Sequence, residues 1–288
     1  MEHILVVGGT GNIGFPLVET LSMHENIAVT AGVHNVEKAK KMLGVFENIT
    51  ICPFDFLDSA TFPKAFEQVS KVFFVRPPQL SKPKEDMLPF LQFAKQQNIS
   101  QIVFVSLIGV EKNPVTPHHK IEKMIRELEL PFTFIRPSFF MQNLNTTHRE
   151  DIQKHHDLFI PAGHAKTSFI DTRDIGEIAA ISLMDHSYIN QTLDITGPEA
   201  LTYDEISQKM TRILEMPITY SKPGLLKFRR TMLKRGIPKD YANVMVMLYL
   251  ITQLGNAKAV TTTAEKVLNK PPRTIERYIQ DYKKYFIR

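Results

Sequence analysis

Tryptophan is absent from the 288 residues, and cysteine occurs once, as Cys52. A single cysteine excludes an intrachain disulfide. Its place in the apolar run ITICPF (49–54) reads as a buried thiol rather than a reactive one. No run approaches the roughly 18 consecutive apolar residues of a membrane span. The nearest candidate, VMVMLYLI (244–251), reads as a buried helix, so no membrane partner is expected. The N-terminus carries no basic stretch ahead of its short apolar run, so no secretory signal is read there. A cytoplasmic location is the expectation. His148, His155, His156 and His164 lie close in sequence, but their spacings fit no zinc pattern and no metal is expected. There is no internal repeat and no low-complexity tract.

Negative charge is scarce at one end. Residues 1–221 hold 20 Lys and Arg against 26 Asp and Glu, a balance of −6. Residues 222–288 hold 15 against 4, or +11, and the two sum to the net charge of +5. A basic segment raises the question of nucleic acid. The basic residues are scattered, with neither zinc spacing nor a helix-turn-helix signal, so no nucleic-acid partner is expected.

Short β-branched and aromatic runs recur at 4–7, 27–33, 49–54, 71–75, 101–106, 132–137 and 192–196. Helical patterns lie between them: FPLVETLSMH, VEKAKKML, ATFPKAFEQV, KEDMLPFLQFAKQQ and HHKIEKMIREL. Strand and helix in alternation, with strands that are apolar throughout, predict an α/β protein with a doubly wound parallel sheet of Rossmann type. Residues 1–140 are read as the dinucleotide-binding region. Residues 141–288 are read as a smaller, mostly helical substrate region, interleaved with the sheet rather than independent. Within it, Thr202 and Glu205 have the spacing of a capping box. Asp171 and Asp174 read as structural carboxylates at a helix start.

The first strand runs directly into Gly8-Gly9-Thr10-Gly11-Asn12-Ile13-Gly14, and a helix pattern follows. Gly8 permits a tight turn, Gly11 lets backbone approach a pyrophosphate, and Gly14 lets the helix pack closely on the strand. The helix start then offers N–H groups and partial positive charge to an anion. Thr10, Asn12 and Ile13 complete this candidate phosphate turn. Its position after the first strand and before a helix is the context that gives a glycine motif its meaning.

VVGGTGNIG resembles the NmrA-like NAD(P)-binding family of atypical short-chain dehydrogenase/reductases. LPFTFIRPSFFMQNL (130–144), FIDTRDIGEIAA (169–180), TLDITGPEALTYDEI (192–206) and the C-terminal stretch 241–286 carry the same resemblance, which covers essentially the whole chain. It implies NAD(P)H-dependent reductases, quinone reductases among them. It equally implies redox-sensing regulators that bind the dinucleotide without turnover and act through a protein partner. The resemblance places Asp55 and Phe56 by the adenine, although a strand-end cap explains the pair as well. It places Arg76, where relatives carry threonine, near the nicotinamide-side ribose. Phe139, Phe140 and Asn143 fall beside the substrate crevice.

An NAD-binding fold usually carries an acid about 20 residues beyond the glycines, on the ribose 2′-hydroxyl. The second strand instead ends Ala31-Gly32-Val33-His34-Asn35. With no acid there, and with His34 and Lys38 available to a 2′-phosphate, NADP(H) is favoured over NAD(H). Ser106 stands where a short-chain dehydrogenase places its serine. The Tyr-x-x-x-Lys catalyst that would follow is missing, because 108–125 contains no tyrosine. His118 and His119 are left as candidates to orient a substrate or supply a proton. The family's H-x-x-E pattern falls on His119 and Glu122, and one histidine of the pair is expected to face outward. The expected reaction is hydride transfer to a small planar acceptor such as a quinone. The alternative is a non-catalytic redox sensor.

Overall fold

The computed structural model describes residues 2–287. In chain order the first elements are β1 (Glu2–Val7), α1 (Gly14–Ser22), β2 (Ile27–Val33), α2 (Val36–Leu43), β3 (Ile49–Pro53) and α3 (Phe62–Ala65). Next come β4 (Lys71–Val75), α4 (Pro83–Asp86), α5 (Leu88–Gln96), β5 (Gln101–Val105), α6 (Pro117–Glu127) and β6 (Phe132–Pro137). The chain continues with β7 (Phe139–Phe140), α7 (Arg149–His155), β8 (Thr167–Ile170), α8 (Thr172–Met184), β9 (Gln191–Ile195) and β10 (Ala200–Leu201). It ends with α9 (Tyr203–Leu214), α10 (Leu225–Lys234), α11 (Lys239–Gln253), α12 (Thr263–Leu268) and α13 (Ile275–Asp281).

A seven-stranded sheet runs in the order β3-β2-β1-β4-β5-β6-β9. Every adjacent pair from β3 to β6 is parallel. The order reverses between β1 and β4, the switch point of a Rossmann-type α/β fold, outside whose strand carboxyl ends such sheets bind their ligands. Two compact units are present: residues 1–137 with 172–194, and residues 138–171 with 195–288. Helix α8 therefore belongs with the sheet and packs on α1. Close approach there depends on Gly176, where an added Cβ would lie 2.8 Å from Pro16 Cβ and 2.9 Å from the Leu17 nitrogen.

With no tryptophan available, phenylalanine fills the first unit's core. Phe90 of α5 lies between Phe54, Phe56, Phe62, Phe66 and Phe74 at centroid distances of 5.1–6.1 Å, mostly edge-to-face or tilted. Such pairs contribute roughly 0.5–1.5 kcal/mol each beyond their burial. Two expected helices are shorter than their patterns. ATFPKAFEQV yields the end of a 3-10 turn (Ser59–Thr61) and the single turn α3, capped at Phe66, with Gln68 in the left-handed region two residues on. KEDMLPFLQFAKQQ is broken at Met87 into α4 and α5. Pro89 has no N–H to donate back into α4 and disfavours helix at the residue before it.

The second unit holds the three-stranded sheet β10-β8-β7 and helices α7 and α9 to α13. The capping box at Thr202 and Glu205 is formed as its spacing predicts. The expectation of a buried helix at 244–251 is corrected. Helix α11 buries Ala242, Met245, Tyr249 and Thr252, but Val244, Met247, Leu248 and Leu250 are exposed. Four buried positions at helical spacing make one inward stripe, and the remaining apolar residues of the run lie outside it. Among the described residues, no helix is long and apolar enough to cross a membrane.

Candidate functional site

The turn after β1 is built as its glycines require. Gly8 adopts φ +82°, and its N–H donates to the Gly32 carbonyl at 2.8 Å. Its own carbonyl accepts from the Gly11 N–H at 2.8 Å, closing the turn. That carbonyl lies 2.2 Å from where a Cβ on Gly14 would stand, so α1 can begin here only with glycine. Gly11 has space by comparison and is exposed, as is Asn12.

Helix α1 begins behind Ile13, which has no side chain able to cap, and its first turn contains no acid. Among the described residues, the amides of Asn12, Ile13 and Gly14 donate to no backbone acceptor. An uncapped helix start bears partial positive charge, and here it lies beside exposed, close-turning backbone. These residues fit an anion such as a pyrophosphate.

Around the neighbouring strand ends, His34 is exposed, with Nδ1 3.8 Å from an Asp55 carboxylate oxygen. The other Asp55 oxygen accepts the Leu57 N–H at 2.9 Å, so Asp55 caps the end of β3 as well as facing His34. Lys38 is exposed in the first turn of α2, where its N–H donates to the Asn35 cap. Phe56 is buried in the Phe90 cluster, and its ring serves the core.

At the ends of β4 and β5 the structure groups Arg76, Ser106 and His118. Phe74 and Phe104 are register partners, and their rings stack at 4.7 Å. Arg76 and Ser106 each stand two residues further along, on the same face of their strands by alternation. His118, at the start of α6, stacks its ring 5.9 Å from that of Phe104. Burial and the nearby Arg76 charge push His118 down to about 3, so it is neutral. The Arg76 Nη1 donates to the carbonyls of Pro77, Pro78 and Leu80, which folds the loop after β4 around the guanidinium. Burial lowers its pKa from the usual arginine value.

His119 is held differently. Its Nδ1 lies 3.1 Å from the Val110 carbonyl. A carbonyl only accepts, so Nδ1 carries the ring proton and Nε2 is left as an acceptor. The expectation that one of the two histidines faces outward is corrected, since both are half-buried. The His118 ring packs on Phe104, and the His119 ring is anchored to the Val110 carbonyl, so each is partly covered. Glu122 is committed to Arg136, which donates from Nε at 2.9 Å and from Nη2 at 2.6 Å. This two-pronged pair supports the elements carrying the histidines.

Phe139, Phe140 and Asn143 stand together in the second unit, on β7 and the turn after it. Phe139 is half-buried, with its ring centroid 6.4 Å from Phe169 and 6.5 Å from Tyr249. The Asn143 carbonyl accepts the N–H of His148 at 3.0 Å. The His148 ring is fully enclosed, with Nε2 2.8 Å from the Tyr249 hydroxyl. Nothing local in the sequence marks this His–Tyr pair, whose members lie 101 residues apart.

The NmrA-like family profile matches residues 1–279. Prestalk A differentiation protein A of Dictyostelium discoideum is 30% identical over 96% of this chain and 91% of its own. An NAD(P)H azoreductase of Xenophilus azovorans is 28% identical over 96% of both chains. The crystal structure of an NADPH-dependent quinone oxidoreductase from Escherichia coli, in complex with NADPH, superposes with a TM-score of 0.84 at 19% identity, covering 96% of this chain and 99% of that one. Glycine turn, strand order and whole-length similarity agree, and the chain belongs to the NmrA-like family.

Proposed function

We propose that this protein is an NAD(P)H-dependent reductase of a small planar acceptor such as a quinone. The observation that carries this reading is the start of α1: a glycine turn closed on itself, free amides, no side-chain cap and no acid. The similarity to an NAD(P)H azoreductase supports the choice of reaction class. Gly8 through Gly14 would hold the pyrophosphate, with His34, Lys38 and Asp55 toward the adenosine end and Ser106 toward the nicotinamide end. When bound, a reduced nicotinamide supplies a hydride.

The chain's own residues then have modest work. A quinone becomes aromatic on reduction, so it needs little acid assistance, and the missing Tyr-x-x-x-Lys is no obstacle. With its Nδ1–H anchored to Val110, His119 presents Nε2 as an acceptor that orients the substrate. His118 stays neutral and forms part of the wall. In the second unit, Phe139 and Phe140 are half-buried aromatic side chains, and the Asn143 carbonyl, accepting from His148, holds the turn after them.

NADP(H) is the preferred dinucleotide in this reading, because the end of β2 bears no carboxylate and Lys38 is exposed in the turn that follows. Asp55 opposes that preference from the end of β3. Asp55→Asn is therefore expected to tighten NADPH binding more than NADH binding.

Titration of NADPH, NADP, NADH and NAD into the pure protein, followed by NADPH oxidation against a quinone panel, tests the proposal. Quinone-dependent oxidation that falls in His119→Ala, with dinucleotide binding retained, is the expected result. An unchanged rate in that variant removes His119 from the reaction. Binding without turnover across the panel transfers the assignment to a redox sensor acting through a protein partner. Absence of binding refutes both.

A further inference from the structure

Of the buried polar atoms without a hydrogen-bond partner in the first unit, two stand immediately past the ends of adjacent strands. Among the described residues, Arg76 Nε and Ser106 Oγ are both shielded from solvent and make no hydrogen bond. Ser106 is 1% exposed. A buried donor without an acceptor costs on the order of 1–3 kcal/mol. Folded proteins tolerate such atoms mainly where a ligand or water satisfies them. The pair is no accident of a loose loop. Register places Val75 opposite Val105, so Arg76 and Ser106 are the next residue on each strand, directly above the stacked Phe74 and Phe104 rings.

The chemistry of these groups is of one kind. A guanidinium keeps its charge and offers only donors. A serine hydroxyl without an acceptor can rotate to donate. Neutral His118, over Phe104, adds one N–H from either tautomer. Every hydrogen bond of the Arg76 guanidinium goes to a carbonyl of its own loop, and the nearby Asp86 carboxylate acts on it through space without an ion-pair contact. A cation would be repelled, and an anionic acceptor gains more from the guanidinium and the two other donors than a neutral one.

We propose that Arg76 Nε, Ser106 Oγ and the His118 ring form a subsite for a single oxyanion. It rests on the reductase reading only for the source of that oxyanion. One source is a phosphate of the dinucleotide. The other is an anionic oxygen of the acceptor, whether a carboxylate or the oxygen that gains negative charge as the acceptor is reduced. Under the second source Arg76 becomes a specificity residue, favouring acceptors that carry such a group.

Benzoate and its neutral counterpart benzamide are the probes, titrated by calorimetry into the apoprotein. Benzoate is expected to bind at least tenfold more tightly than benzamide. Its addition should shift the His118 Cε1 resonance, because an anion beside the ring offsets the Arg76 charge. Ser106→Ala should weaken benzoate several-fold with no loss in Tm, since the hydroxyl it removes makes no protein hydrogen bond. Arg76→Met should abolish the preference for benzoate. If that variant fails to fold because its loop loses three anchoring bonds, Ser106→Ala and Arg76→Lys, which keeps the charge and loses Nε, still decide. Equal binding of benzoate and benzamide, or an unchanged benzoate affinity in Ser106→Ala, overturns the proposal. Displacement of benzoate by NADPH assigns the oxyanion to the dinucleotide, and a ternary complex assigns it to the acceptor. A benzoate preference in a protein that binds no dinucleotide would sink the reductase reading and leave the subsite standing.

Discussion

Replacing Gly14 by alanine places a methyl carbon 2.2 Å from the Gly8 carbonyl oxygen, 2.8 Å from the Gly8 carbon and 3.0 Å from the Gly9 Cα. All three are backbone atoms, and Gly8 is held by bonds to Gly32 and Gly11, so no flexible side chain can give way. Overpacking against fixed atoms costs about 1–3 kcal/mol, and the upper end applies here. Alanine regains at most ~1 kcal/mol over glycine in a helix. The net loss is therefore about 2 kcal/mol. For a unit of this size that corresponds to a fall in Tm of roughly 4–8 °C. Gly11→Ala is the matched control. Its methyl would meet only the Gly8 oxygen, at 3.1 Å, on the exposed side of the turn. It should melt close to the parent while losing most dinucleotide affinity, because the methyl occupies the space a pyrophosphate needs. Thermal melting and NADPH fluorescence titration of both variants separate folding from binding. A Gly14→Ala protein that melts within a degree of the parent would refute the fixed-backbone reasoning. A Gly11→Ala protein that binds NADPH normally would refute the placement of the anion.

Other outcomes follow from buried charge. Burial holds His148 at about 4, with Arg235 acting in the same direction, so its folded pKa lies below the ordinary histidine value of 6.5. Above pH 6.5 it is neutral in both states and contributes no pH dependence. As pH falls toward 4 the unfolded chain protonates first, and stability drops by about 3 kcal/mol before levelling off. His148→Gln should flatten the melting temperature between pH 7 and 4.5 relative to the parent, and parallel curves would refute the assignment. Arg235→Ala strands the buried Asp151 carboxylate, which accepts from Arg235 at 2.6 and 2.8 Å. It should cost about 3 kcal/mol in urea unfolding. Recovery of most of that loss in the double variant with Asp151→Asn would show that the stranded charge, rather than lost packing, carries the cost.

The alternation of strands and helices was legible because strands buried on both faces are apolar throughout and their connections are helical. The glycine turn was legible because each glycine answers a local steric demand: positive φ at Gly8, close backbone at Gly14. The capping box at Thr202 is equally local. Helix lengths were misjudged where one residue outweighed the periodicity, as Pro89 does between α4 and α5. Burial of α11 was misjudged because an apolar run reports composition and not the number of packed neighbours.

The sequence by itself determined the parallel sheet, the tight glycine turn and the absence of a Tyr-x-x-x-Lys catalyst, each announced by patterns of residues close in sequence. Only the tertiary structure decided that His118 packs on Phe104 and His119 on the Val110 carbonyl, that Arg76 and Ser106 become neighbours at the ends of adjacent strands, that Gly176 lets α8 rest on α1, and that His148 meets Tyr249. Those facts depend on strand register and on packing between segments from about 10 to more than 150 residues apart, and no local pattern encodes either.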